Sequence, residues 1–179
     1  PITYTPGVHY KGIVEGESAS IVALSVFKDQ IMGMISTRRG NFVIGRINND
    51  PENKHIIYND KDLDKPFEFE CGTRDDGLGY TKEMLENKLM SRDANDCVRL
   101  HIVINNDIVV DKGGVVPATD FVTGLYNLSF TIFTNESINM MINEIFAWTT
   151  PSPYHSGTNQ QKLAAFKANT SFFGADLDQ

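Results

Sequence analysis

Only two cysteines, Cys71 and Cys97, occur among 179 residues, so the chain is no disulfide scaffold and closes one bridge at most. Long apolar runs are missing as well. The longest stretches, such as Ile21-Val22-Ala23-Leu24 and Ile108-Val109-Val110, have strand length, far short of the roughly 20 residues that span a bilayer. Cations are few and scattered: 16 Lys and Arg face 23 Asp and Glu, a net charge of −7, with Arg38-Arg39 the sole adjacent basic pair. Phosphate binding needs clustered cations, so nucleic acid is excluded as the main partner and a basic membrane patch is unsupported. There is no signal peptide, and Pro1 rather than Met comes first, so the N-terminus is expected to be processed, trimmed, or internal to a longer protein.

What is present is ordinary folded-protein composition. The hydrophobic fraction is 41%, too high for a disordered chain, and the length suits one domain of roughly 150 residues or two small ones. Residues 20–27 and 30–37 are rich in β-branched and apolar side chains and predict two strands. The turn signal Arg39-Gly40-Asn41 then precedes a strand opening at Phe42-Val43-Ile44. After the turn-rich Asn48-Asn49-Asp50-Pro51, His55-Ile56-Ile57-Tyr58 predicts another. Short strands at this spacing imply an antiparallel meander.

Between residues 59 and 96 acidic residues dominate, and Gly72, Gly77 and Gly79 break the backbone. Residues 81–90 predict a short helix with Met84, Leu85 and Leu89 on one side, and residues 91–96 read as an exposed connector. From Cys97 the pattern changes. Residues 98–104 predict a strand, Thr119-Asp120 an N-cap, and Phe121, Leu125, Leu128 and Ile132 a helical stripe at spacings of four, three and four. Ile138, Met140, Ile142, Phe146 and Trp148 return to a period of two. Strand, helix, strand is a βαβ unit with parallel strands and a right-handed crossover. A further helix is expected from Thr158 through Phe166, leaving an α/β sheet of only two strands, too few to bury itself.

Chemistry is sparse. His9, His55, His101 and His155 are at least 46 residues apart, and no HExxH, HxH, CxxC, GxSxG or P-loop occurs. His101 within a strand reads as a packed or solvated side chain. Gly77-Leu78-Gly79 is loop punctuation. Asp60-Lys61-Asp62-Leu63-Asp64 has the alternation of a calcium loop but neither its glycine nor its terminal glutamate, and reads as a solvated acidic turn. Cys71 is the exception, in the polar, glycine-flanked Phe69-Glu70-Cys71-Gly72-Thr73-Arg74-Asp75-Asp76. Three readings stand: a thiolate directed at a metal or at redox chemistry, an inert thiol, or a disulfide with Cys97. The disulfide would close a 26-residue separation and contribute about 3.5 kcal/mol of chain entropy.

Val8-His9-Tyr10-Lys11-Gly12-Ile13-Val14-Glu15-Gly16, followed by Ser20-Ile21-Val22-Ala23-Leu24-Ser25 and Gly33-Met34-Ile35, closely resembles a propeptide signature of ADAM/reprolysin (adamalysin) metallopeptidase precursors. His55-Ile56-Ile57-Tyr58 matches a later propeptide element. Residues 98–107 with Asp111-Lys112-Gly113-Gly114 resemble the first strand and following loop of the catalytic domain. The helix from Asp120 and the strand ending Glu144-Ile145-Phe146-Ala147-Trp148 fit the next two elements.

The resemblance implies an α+β protein: a β-rich antiparallel prodomain over residues 1–95, then, from residue 97 to 179, the first βαβ unit of a metzincin-like α/β catalytic domain. It implies a secreted zinc endopeptidase made as a latent precursor, whose partners are protein or peptide substrates and the prodomain's own catalytic domain. The family's zinc motif, HExxHxxGxxH with a Met-turn, would lie beyond Gln179. No catalytic residue is therefore carried over, and zinc belongs to the parent enzyme. The family's calcium-binding glutamate has no match, since Leu100 stands there. Cys71-Gly72-Thr73-Arg74-Asp75 is similar to a cysteine switch, in which a thiolate takes zinc's fourth position and displaces the catalytic water. The disulfide to Cys97 stays open beside it. The alternative from another class is a non-catalytic extracellular binding or structural module that keeps the fold.

Overall fold

The computed structural model describes residues 4–48, 50–64, 97–169 and 177–178. It is a mixed α+β fold built on two sheets. The first holds β1 (Val8–Val14), β2 (Glu17–Val26), β3 (Ile31–Thr37), β4 (Gly40–Arg46) and β5 (His55–Asn59), antiparallel throughout and neighbouring in chain order. This is the expected meander, extended at its start by β1. The β1–β2 turn places Gly16 at φ 78°, a left-handed conformation that only glycine adopts without penalty. At the β3–β4 hairpin the ladder runs one pair further than the predicted Arg39-Gly40-Asn41 turn. Thr37 pairs with Gly40, so the turn is Arg38-Arg39 and Gly40 opens the strand at φ 132°.

After β5 a single 3-10 turn, Asp60–Asp62, is capped by the Asn59 side chain, which accepts from the Lys61 amide. The predicted helix at 81–90, the connector at 91–96 and Cys71 lie outside the described residues.

The second sheet is parallel. β6 (Cys97–Ile104) lies between β7 (Asn139–Ala147) and a two-residue strand, β8 (Leu177–Asp178), in the order β7-β6-β8. The expected pair of parallel strands is thus a trio, because the chain returns to the free side of β6. Leu100, Ile102 and Ile104 of β6 are buried, as a central strand requires.

Between β6 and β7 run two helices where one was predicted. The short α1 (Asn106–Asp111) is capped by Asn105, whose side chain accepts from the Asn106 amide. The longer α2 (Val115–Asn135) starts at Gly114 with no side-chain cap. It begins four residues before the predicted Thr119 cap. Thr119 Oγ1 instead donates to the Val115 carbonyl inside the helix (2.8 Å), satisfying itself without ending the helix. α3 (Asn159–Asn169) fits the last predicted helix. Its start carries a reciprocal capping pair: Thr158 Oγ1 accepts from the Gln161 amide and Gln161 Oε1 from the Thr158 amide. Edge-to-face rings of Phe146, Trp148, Tyr154 and Phe166 tie α3 to the end of β7. No helix among the described residues is long and apolar enough to cross a membrane.

Candidate functional site

A helix that advances 100° per residue presents three separable stripes over six turns, and α2 uses all three. Val115, Ala118, Val122 and Tyr126 join the core formed with Leu100, Ile102, Ile104 and Val109, against the parallel sheet. On nearly the opposite side, Asp120, Gly124, Asn127 and Thr131 recur at spacings of four, three and four; Gly124 and Asn127 meet the antiparallel sheet, and Asp120 meets Tyr4 just ahead of β1. The predicted apolar stripe Phe121, Leu125, Leu128 and Ile132 falls between the two. Leu125 and Ile132 remain 41% and 47% exposed. The helix is held between two sheets, so its contact with the antiparallel sheet is made by small and polar side chains rather than by its most apolar stripe.

That contact centres on Asn127. Its Nδ2 donates to the Leu24 carbonyl (3.1 Å) and to Ser25 Oγ (3.2 Å), with the Tyr10 carbonyl at 3.4 Å. Facing two carbonyl oxygens fixes which end of the amide is nitrogen. Ser25, buried on β2, lies 2.8 Å from His9 Nδ1 on β1. Burial lowers the His9 pKa, and the Phe27 ring packs edge-on against the imidazole. Thr131 Oγ1 donates back to the Asn127 carbonyl (2.7 Å). Gly124 leaves room for Met32 of β3, since a Cβ there would overlap the Met32 side chain. Two further links cross the contact. Tyr4 donates to Asp120 (2.9 Å), and Lys11 Nζ donates to Thr134 Oγ1 (3.3 Å).

Beside this contact a cavity of about 650 Å³ opens between β3–β4 and α2. Met32, Val43, Phe121, Leu125 and Leu128 line it, with Asp29, Arg46 and Lys112 among its charges. Lys112 pairs with Asp111 and sits 4.2 Å from the Phe121 ring centre. Asp120 has its pKa raised by burial and, less, by the charge of Asp29, while the Tyr4 hydrogen bond pulls the other way. Burial also raises the Tyr4 pKa.

The sequence-predicted site residues do not converge here. Cys71 lies outside the described residues, and Cys97 is a half-buried thiol opening β6. His55 Nε2 accepts from the Ile31 amide, His101 is buried in β6 as a packed side chain, and His155 Nδ1 lies 2.6 Å from the Ser152 carbonyl. In the acidic turn Asp60 accepts from Asn41 and Lys61 folds over the Arg39 carbonyl. Among the described residues no three His, Cys, Asp or Glu side chains gather as a metal site would require, so no zinc chemistry is derived from them. The sequence reading missed His9, Ser25 and Asn127 as a group. The signal available was Asp120, Gly124, Asn127 and Thr131, a polar and small stripe at helical spacing one residue behind the apolar one.

Comparison with protein-family models and with curated proteins finds no match for this chain. Among the described residues the geometry is that of an antiparallel sheet fastened to the crossover helix of a parallel sheet.

Proposed function

We propose that this chain joins the end of an inhibitory propeptide to the opening of a secreted, reprolysin-like zinc endopeptidase. Residues 1–95 form the β-rich prodomain and residues from 97 onward begin the catalytic domain, with the zinc-binding HExxH motif beyond Gln179. The observation that carries the reading is the seating of the antiparallel sheet on α2 through Asn127, which ties the two halves on either side of residues 91–96. A latent precursor needs such a contact: strong enough to hold the propeptide, yet polar enough for the surfaces to part in water. The ordered motif resemblance supplies the chemistry, and the α/β sheet supplies its frame.

The test reads the coding sequence past Gln179 and produces the protein through that region, with and without residues 1–95. A zinc-dependent peptidase that residues 1–95 inhibit is the expected result. Absence of HExxH sinks the peptidase assignment and leaves the non-catalytic extracellular module. For Cys71, thiol titration of the unreduced protein decides. Two reactive thiols exclude the bridge to Cys97, and none excludes a zinc-directed thiolate.

A further inference from the structure

The contact between β1–β2 and α2 contains one imidazole, His9, and the hydrogen-bond directions around it are set by its neighbours. Asn127 Nδ2 is a donor to Ser25 Oγ, so the Ser25 hydroxyl proton must go elsewhere. Its remaining neighbour is His9 Nδ1, at 2.8 Å. The chain of donation therefore runs from Asn127 to Ser25 to His9, and His9 carries its proton on Nε2. We propose that His9 is an acid-sensitive latch: protonating Nδ1 turns the acceptor into a donor, strands the buried Ser25 hydroxyl, and loosens the antiparallel sheet from α2.

A donor facing a hydroxyl that already accepts from Asn127 leaves one buried proton without a partner, the costly situation for a polar group away from water. The charged groups on the surrounding elements are Lys11 on β1, Glu17 on β2 and Asp120 on α2; the phenols are Tyr10 on β1 and Tyr4 ahead of it, while Tyr126 of α2 packs on the far side, against the parallel sheet. β3 carries no charged residue. None offers a carboxylate partner to the protonated ring; His9 is exposed as a whole, and the partial burial of its ring moves its titration downward. A lowered value in the docked form means the undocked form binds the proton more readily. His9's stabilisation of the contact is thus complete above 6.5, the ordinary imidazole value, and is lost as pH falls from there towards the docked value. Asp120 acts oppositely, since its raised pKa makes docking favour its protonated form above 3.8, so removing its carboxylate does not flatten a fall in protection on acidification. The latch concerns the docking of the sheet and does not depend on the peptidase reading.

The experiment measures the imidazole ¹⁵N shifts of His9 and the hydrogen exchange of β1, β2 and α2 amides in the 179-residue chain from pH 7.5 to 5.5, corrected for intrinsic rates. The expected tautomer at pH 7.5 has the proton on Nε2. Protection across the contact falls by several-fold at pH 5.5, and one site of ordinary pKa 6.5 caps that fall at about tenfold. His9→Gln, an acceptor that does not titrate, flattens the profile; Ser25→Ala, which removes the stranded hydroxyl but leaves the ring partly buried, makes it shallower; Asp120→Asn does neither. A proton on Nδ1 at pH 7.5 overturns the proposal. So does a profile unchanged by pH, or one that His9→Gln leaves as steep. The tautomer measurement uses the unmodified chain, so it decides even if a variant fails to fold.

Discussion

Replacing Asn127 with alanine should loosen the antiparallel sheet from α2 by an amount the geometry sets. Two hydrogen bonds of ordinary length are lost, to the Leu24 carbonyl at 3.1 Å and Ser25 Oγ at 3.2 Å, and the longer approach to the Tyr10 carbonyl adds little. At about 1 kcal/mol net for each bond, and with alanine the better helix former by about 0.6 kcal/mol, the sum is about 1.5 kcal/mol. The Leu24 carbonyl and Ser25 hydroxyl are then left beside a gap too small for good solvation, adding about 1 kcal/mol. The expected loss is therefore about 2–3 kcal/mol, read as a drop in urea midpoint at unchanged slope. If the two sheets unfold separately, it appears in the first transition. A double-mutant cycle with Ser25→Ala should give a coupling of about 1 kcal/mol, because the pair is in direct contact. A loss below about 0.5 kcal/mol, or strict additivity with Ser25→Ala, would refute the claim that this amide fastens the sheet.

Glycine substitutions should rank by what the new Cβ meets. At Gly33 it runs into the Ala23 backbone carbonyl across the β2–β3 ladder, a loss of about 2–3 kcal/mol. At Gly124 it meets only the movable end of Met32 and gains about 1 kcal/mol of helix propensity. Calorimetric midpoints in the reverse order would contradict the packing described. Asn105→Ala should cost about 2–3 kcal/mol, since its Oδ1 caps α1 and also accepts from the buried Ser152 hydroxyl at 2.6 Å. Trp148 fluorescence reports it, and an unaltered melting curve would show the cap to be idle. Asp120→Asn keeps the acceptor for Tyr4 and removes a carboxylate whose pKa is raised on folding. A raised value stabilises the protonated form, present below 3.8 and lost as pH rises through the folded value, so the variant should gain on wild type with rising pH. A gap that narrows instead would reverse the sign assigned to burial there.

The strands were legible because each is a local pattern. Residues 20–27, 30–37 and 55–58 carry enough β-branched and apolar side chains to specify β2, β3 and β5, and short connections make neighbours pair in order. β6 and β7 were readable for the same reason, and their parallel pairing follows from the intervening helix. The start of α2 was misplaced because Thr119 offers a hydroxyl for capping but donates it within the helix, while the true N-terminus at Gly114 has no capping side chain to advertise it. α1 was missed because six residues are too few to show a period.

Periodicity alone thus determined an antiparallel meander followed by a βαβ unit. It could not decide which stripe of α2 meets which sheet, because a helix with two packing partners has more than one buried side, and hydrophobicity marks only one of them well. The apolar stripe at 121, 125, 128 and 132 lines a cavity, whereas Asn127, the residue that fastens the sheets together, sits in the stripe one position behind. Its significance comes from carbonyl oxygens on strands more than a hundred residues away. Only folding brings those acceptors and the His9 ring to the same place, and so only the tertiary structure turns a helical asparagine and a strand histidine into parts of one contact.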